Sequence, residues 1–402
     1  MTRPAVYRGP MAGEQLLLDF AVILIAAEIG GSAFRRIRLP RAVGMLVAGI
    51  VLGPFTPGYS VHQPAVADLA VLGAVFLMFT TGLSFDIRGF RKLGAWPFLL
   101  AISGVAASFL GGLVLGLAFG WAFLPATFLG LILTSTSTTL SLKLLADSGY
   151  GAVRGADLIT ASILIDDIVA LSLMTFVVGL ASPSPLPPLY VLAGLLGVLG
   201  LAAFLVFVGS HALPPVLRAT DSVSPSSVIM VALSFGLLIS FAFAVLGLPP
   251  LVGAFFAGSI VASTEYGPRV SRHITPVAAV FMGVFFASIG FLINPWTIPG
   301  VLLLSFAATG VAAAAKFVPG LLILPRAAGV RAEAVWPLAA FLIPRAEISL
   351  IIAQYGVTIG VTGDLLPIAM AVMIGTAVLP TPIGEWAKRR AAAQEPAQTD
   401  PT

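Results

Sequence analysis

The feature that most restricts this chain is a procession of apolar runs, most of them about 20 residues long, separated by short polar segments. Inside hydrocarbon every backbone N–H and C=O must find its partner within the protein, so runs of that length can only be helices. Of the 402 residues, 58% are hydrophobic and 9% are charged, and the mean hydropathy is +1.06. Soluble domains carry about 25% charged residues. The reading is an all-α polytopic membrane protein with the lipid bilayer as its main partner. A net charge of +4 and an isoelectric point near 9.6 would suggest nucleic acid in a soluble chain. Here topology accounts for the basic residues, and no nucleic-acid partner is expected. The chain has no cysteine, which excludes disulfides, thiolate metal sites and catalytic thiols. His62, His211 and His273 all fall in expected loops, which argues against a histidine metal site. Nothing calls for a cofactor. The first apolar run, Leu16 to Phe34, ends at Arg35 and Arg36 rather than at a small-residue cleavage site, so no cleavable leader is expected.

Hydropathy predicts thirteen spans, at about 16–34, 41–54, 66–84, 96–119, 124–145, 157–180, 188–210, 226–246, 249–263, 276–293, 299–322, 334–357 and 362–384. The second and ninth are short and glycine-rich, which suits helices packed among others. Seven alternate segments then hold all but four of the 21 Lys and Arg residues, and the six intervening loops hold none. The exceptions are Arg3 and Arg8 in the amino-terminal tail, and Lys316 and Arg345 inside spans. By the positive-inside rule the seven basic segments are cytoplasmic, the amino terminus is outside and the carboxyl terminus is inside. An error of one span would destroy that alternation.

The segment LPRAVGMLVAG (39–49) recurs as LPPLVGAFFAG (248–258), with Leu, Pro, Val, Gly, Ala and Gly matching at an offset of 209. In the spans that follow, Gly82 aligns with Gly290 and Asp86 with Asn294 at an offset of 208. Residues 16–180 and 226–384 therefore read as two six-span repeats. A single span at 188–210 joins them, flanked by tails 1–15 and 385–402. The odd number of spans between them inverts one repeat against the other, an arrangement common in secondary transporters. Repeat-related breaks then appear in spans five and twelve. Span five carries LILTSTSTTLSLKLL (131–145), with an unbroken hydroxyl run from Thr134 to Thr139. Span twelve carries FLIPRAEISLIIAQYG (341–356), interrupted by Pro344, Arg345 and Glu347. Proline removes a donor, and Ser or Thr hydroxyls satisfy backbone groups freed by unwinding. Paired interrupted spans point to a substrate site, here with Thr134, Ser135, Thr136, Ser137, Thr138, Arg345 and Glu347 as its supporting residues.

Two adjacent carboxylates, Asp166 and Asp167, lie in the otherwise uncharged stretch 158–180. A charged side chain at the bilayer centre costs about 2.5–3.5 kcal/mol on insertion scales. Two neighbouring carboxylates also repel, so both ionise together only with a cation present. The pair reads as a site that trades protons for a bound Na⁺ or similar ion. Lys316, within GVAAAAKFVPG, needs a carboxylate partner, which Asp166 or Asp167 can supply. Arg345 cannot lose its proton, so it reads as a permanent ion pinning the broken span to a carboxylate such as Glu347 or one on another span. Glu28 and Asp68 read as interfacial or packing residues.

On ILIDDIVAL (163–171), AAKFVPG (314–320), PRAEISLIIAQYG (344–356) and FLMFTTGLSFDIRGF (76–90), the chain resembles the cation–proton antiporter superfamily, specifically the electrogenic sodium/proton antiporters with paired aspartates. The resemblance covers nearly the whole chain. Its hydroxyl-rich STSTTLSLKLL and MFTTGL stretches are also similar to the potassium-efflux (Kef-type) branch, although only a short tail follows the last span. The resemblance implies a homodimer in a prokaryotic-type inner membrane, exchanging Na⁺ or another monovalent cation for H⁺. It implies an elevator motion of crossed discontinuous helices against a dimerisation domain. It makes Asp167 the main cation-binding carboxylate and Asp166 the partner of Lys316. Two other readings are a K⁺/H⁺ antiporter and a sodium-coupled organic-anion symporter of related fold. An intramembrane aspartyl enzyme is disfavoured. It needs carboxylates facing each other across a water, and adjacent helical residues point about 100° apart.

Overall fold

A computed structural model of the chain describes residues 12–380 except 38, 59–62, 85–93, 148–149, 151–154, 181–187, 247–248, 328–329 and 346, and describes 382, 386 and 389 beyond them. Every regular element among these residues is helical. The first three helices are α1 (Ala12–Arg36), α2 (Arg41–Leu52) and α3 (Gln63–Leu83). Then follow α4 (Trp96–Ala118), the split pair α5 (Phe123–Ile132) and α6 (Thr138–Asp147), and α7 (Ala156–Leu180). A long α8 (Pro188–Asp221) leads to α9 (Pro225–Val245), α10 (Pro250–Ala262) and α11 (Gly267–Phe291). The chain closes with α12 (Ile298–Ile323), the second split pair α13 (Ala332–Ala340) and α14 (Glu347–Thr358), and α15 (Leu365–Val378). Among the described residues, six helices are long and apolar enough to cross a bilayer alone, and several shorter apolar helices pack among them.

Some helix ends differ from expectation. Helix α8 runs past residue 210 to Asp221 through Pro214 and Pro215, so His211 and Arg218 are helical rather than in a loop. Helix α11 starts at Gly267, which places Arg269, Arg272 and His273 in a helix as well. A histidine or arginine at a helix end carries no apolar signal, so hydropathy ends the span too early. His62 lies outside the described residues, as do Arg3, Arg8, Arg38, Arg88, Arg91, Lys92, Arg154, Lys388, Arg390 and Asp86, and the Asp68 and Thr139 side chains. Glu28 is exposed and ion-pairs with Arg41, while Ser32 Oγ donates to its other oxygen at 2.7 Å.

The helices gather into two groups. Helices α1–α3 pack with α9–α11, and α4–α7 pack with α12–α15. Glycines set the closest approaches in the first group. A Cβ at Gly49 of α2 would collide with the backbone of Ala287 on α11, and one at Gly258 of α10 would collide with the backbone of Phe79 on α3. The partner glycines Gly290 and Gly82 are equally crowded, against Leu46 and Phe255. The offset of 209 carries Gly49 onto Gly258, and that of 208 carries Gly82 onto Gly290, so the sequence repeat exchanges one contact for the other. Backbones this close need a residue without a side chain, as small-residue helix packing in membranes requires.

Candidate cation and proton site

One split pair breaks at a run of hydroxyl residues and the other at Pro344, which has no N–H to donate. Helix α5 ends at Ile132 and α6 restarts at Thr138; α13 ends at Ala340 and α14 restarts at Glu347. The two extended segments cross and are tied directly, Ser137 N donating to Pro344 O at 2.8 Å. A broken helix leaves carbonyls without donors at one stump and N–H groups without acceptors at the other, with partial negative and positive charge respectively.

Arg345 satisfies the carbonyl stumps. It is fully buried; its Nε donates to Leu133 O at 2.9 Å, and its Nη1 donates to Ile343 O at 2.7 Å and Leu342 O at 3.2 Å. Its Nη2 donates to Ala312 O of α12 at 2.8 Å and reaches Ser108 Oγ of α4 at 3.5 Å. Among the described residues no carboxylate lies within ion-pair distance of it. The expected carboxylate partner is thus corrected: the guanidinium spends its donors on carbonyls at both breaks, on a carbonyl of α12 and on the Ser108 hydroxyl. Ser349 Oγ adds a bond to Ile132 O at 2.7 Å and lies 3.4 Å from Ser135 Oγ, while Arg345 N donates to Thr376 Oγ1 of α15 at 3.0 Å.

The carboxylates lie on the hydroxyl side. Helix α7 brings Asp166 and Asp167 to the crossing, 0% and 2% exposed. Asp166 Oδ2 accepts from Thr136 Oγ1 at 2.9 Å and lies 2.6 Å from Lys316 Nζ, itself 2% exposed. The ammonium is close enough for an ion pair yet not aligned as a hydrogen-bond donor to any acceptor. Gly104 of α4 leaves room for this lysine, since a Cβ there would stand 2.7 Å from Lys316 Cδ. Asp167 Oδ2 accepts from Thr138 Oγ1 at 3.3 Å. Asp166 Oδ1 and Asp167 Oδ1 are buried with no hydrogen-bond partner. An unpaired buried acceptor costs about 1–3 kcal/mol, and more when charged, so two side by side ask for a proton or a cation.

A cavity of about 40 Å³ opens beside them, lined by Ser135, Thr136, Ser137, Thr138, Asp167, Glu347 and Ile348 and walled on the α3 side by Leu77, Met78 and Thr81. That is space for an ion with few waters. Thr134 does not join it, because its hydroxyl donates back to Leu131 O at 2.6 Å. Arg345 stands behind the cavity and Lys316 reaches only Asp166. Sequence reasoning left out Leu77, Met78 and Thr81 as cavity wall, and Ser108, Ser349 and Thr376 as braces. Of these, Thr81 carried a signal: it belongs to the MFTTGL segment already singled out.

The description of sodium/hydrogen exchangers, transmembrane part, matches residues 21–386. The Na(+)/H(+)-K(+) antiporter GerN of Bacillus cereus is 29% identical over 91% of this chain and 95% of its own. A Na(+)/H(+) antiporter of Enterococcus hirae is 27% identical over 92% of this chain and 97% of its own. The sodium proton antiporter MjNhaP1 from Methanocaldococcus jannaschii shares the fold, with a TM-score of 0.70 at 13% identity over 94% of this chain and 99% of its own. The chain is a multi-pass membrane protein of the transmembrane sodium/hydrogen exchanger family, a family of transporters and not of enzymes.

Proposed function

We propose that this chain is a secondary active antiporter exchanging a monovalent cation, Na⁺ or Li⁺ first, for protons. The carrying observation is the pair of orphaned oxygens, Asp166 Oδ1 and Asp167 Oδ1, buried where two broken helices cross. Asp167 lines the cavity and takes the cation, giving up a proton. Asp166 exchanges its bond to Lys316 for the cation, and Lys316 releases a second proton. Two protons for one sodium moves one net charge per cycle. The family match and the names of the relatives support antiport. A K⁺/H⁺ reading is the second choice, since the hydroxyl-rich cavity offers oxygens that suit K⁺ equally and GerN carries potassium in its name.

The same reading takes residues 16–180 and 226–384 as inverted repeats joined by the helix at 188–210, with thirteen crossings, an outer amino terminus and a cytoplasmic carboxyl terminus. The exchanged glycine contacts support it. Alternating access follows from one helix group moving against the other in a homodimer in the inner membrane. In proteoliposomes with an imposed pH gradient, Na⁺ or Li⁺ should collapse the gradient without an organic solute. Failure of every monovalent cation, with sodium-driven uptake of an organic anion instead, would overturn the antiport reading.

A further inference from the structure

Glu347 has no role in the exchange as written above. It is the first residue of α14, half-buried, and it lines the same cavity as Asp167. Among the described residues no ion pair reaches it. Arg345, two residues away, is committed to carbonyls and one hydroxyl. The repeat offset of 209 carries Thr138 onto Glu347, so each half-helix presents its first residue to the cavity. On one side that residue is a hydroxyl donating to Asp167; on the other it is a carboxylate.

Charge counting gives this carboxylate a purpose. The ionisable side chains of the crossing are Asp166, Asp167 and Glu347 against Lys316 and Arg345, three negative groups facing two positive ones. With all five ionised the site carries one net negative charge, and two once Lys316 has released its proton in the exchange written above. Without Glu347 the fully ionised site is neutral, so a cation is drawn in only after that proton has left; with Glu347 the attraction exists before it leaves.

We propose that Glu347 is a direct ligand of the transported cation, facing Asp167 across the cavity, and that its charge draws the cation in before Lys316 gives up its proton. This rests on the antiport reading, so the test carries a readout that needs no transport. Purified protein in detergent is heated with increasing NaCl or KCl at constant ionic strength, and exchange is measured separately in proteoliposomes. Wild type should be stabilised by Na⁺ or K⁺. Glu347→Gln should fold and melt like wild type without added cation, yet need about tenfold more cation for half-maximal stabilisation and for half-maximal exchange, one lost charge-assisted contact. Glu347→Asp, which keeps the charge, should fall between the two. Unchanged half-maximal concentrations in Glu347→Gln would overturn the inference while leaving antiport intact. Wild type that is stabilised but moves no protons would overturn antiport, and the melting series alone would then decide Glu347. No stabilisation of wild type by either monovalent cation would also overturn it.

Discussion

Asp167 and Arg345 are both fully enclosed and ionisable, yet their surroundings give them opposite duties. Asp167 keeps one oxygen unpartnered beside a cavity, whereas Arg345 spends its donors on backbone carbonyls and one hydroxyl. Asp167→Asn keeps the volume and removes the ionisable oxygen, so exchange should vanish in proteoliposomes while the melting temperature changes little; wild-type exchange would remove Asp167 from the site. Arg345→Lys should do the reverse. Lysine has three donors and no planar fork, so at least one of the carbonyls at Leu133, Leu342, Ile343 and Ala312 loses its partner. At about 1–3 kcal/mol for each buried orphan, the variant should insert but melt well below wild type. Lys316→Gln leaves Asp166 buried beside a neutral amide, a change that typically costs about 3–5 kcal/mol when a buried ion pair is broken. If the lysine carries a proton, sodium-driven current per ion moved should fall towards zero on supported membranes. The same current per sodium in the variant would limit the lysine to holding Asp166. Chemistry of this kind was legible in the sequence because Asp, Lys and Glu are rare inside apolar runs. The partners of Arg345 were not, since carbonyls belong to every residue and leave no mark in a sequence.

Helices α5/α6 and α13/α14 show how local composition fixes a break. Pro344 cannot donate, and the residues from Thr134 to Ser137 offer hydroxyls to a chain that has left the helix. Both breaks were readable for that reason, and the repeat offset made each reinforce the other. The part of the wall formed by Leu77 and Met78 was hidden, because apolar residues in a span look the same whether they face lipid, a neighbour or a cavity. The glycine contacts give an element-scale test. Gly49→Ala and Gly258→Ala occupy repeat-related crossings in which a Cβ meets backbone rather than a movable side chain. They should destabilise by similar amounts, about 1–3 kcal/mol as overpacking typically costs, measured as loss of melting temperature. Very unequal effects would argue against equivalence of the two crossings. Gly104→Leu should instead displace Lys316 from Asp166, lowering both exchange and melting temperature on the scale of Lys316→Gln.

For the whole molecule, orientation and assembly are the properties to test. The chain has no cysteine, so single replacements report cleanly. Ser222→Cys should react with a membrane-impermeant maleimide only from the cytoplasmic side, and Gly363→Cys only from outside; reaction of both from one side would break the thirteen-crossing scheme. Native mass spectrometry in gentle detergent should find a dimer, and monomer at every concentration would count against it. The crossing itself constrains how such a molecule can work. Ser137 N to Pro344 O, Ser349 to Ile132 O and Arg345 to Leu133 O stitch one interrupted helix to the other with donors and acceptors that have no substitute nearby. Parting the two strands at the break would strand several buried polar groups at once. The binding point therefore resembles a sealed bearing more than a door: its ion has no exit between the crossed segments. Under the proposed exchange, release is expected on the other flank, where the α3 wall is Leu77, Met78 and Thr81 and the one hydroxyl is already donated to Leu77 O, a surface that offers a sliding partner little to hold.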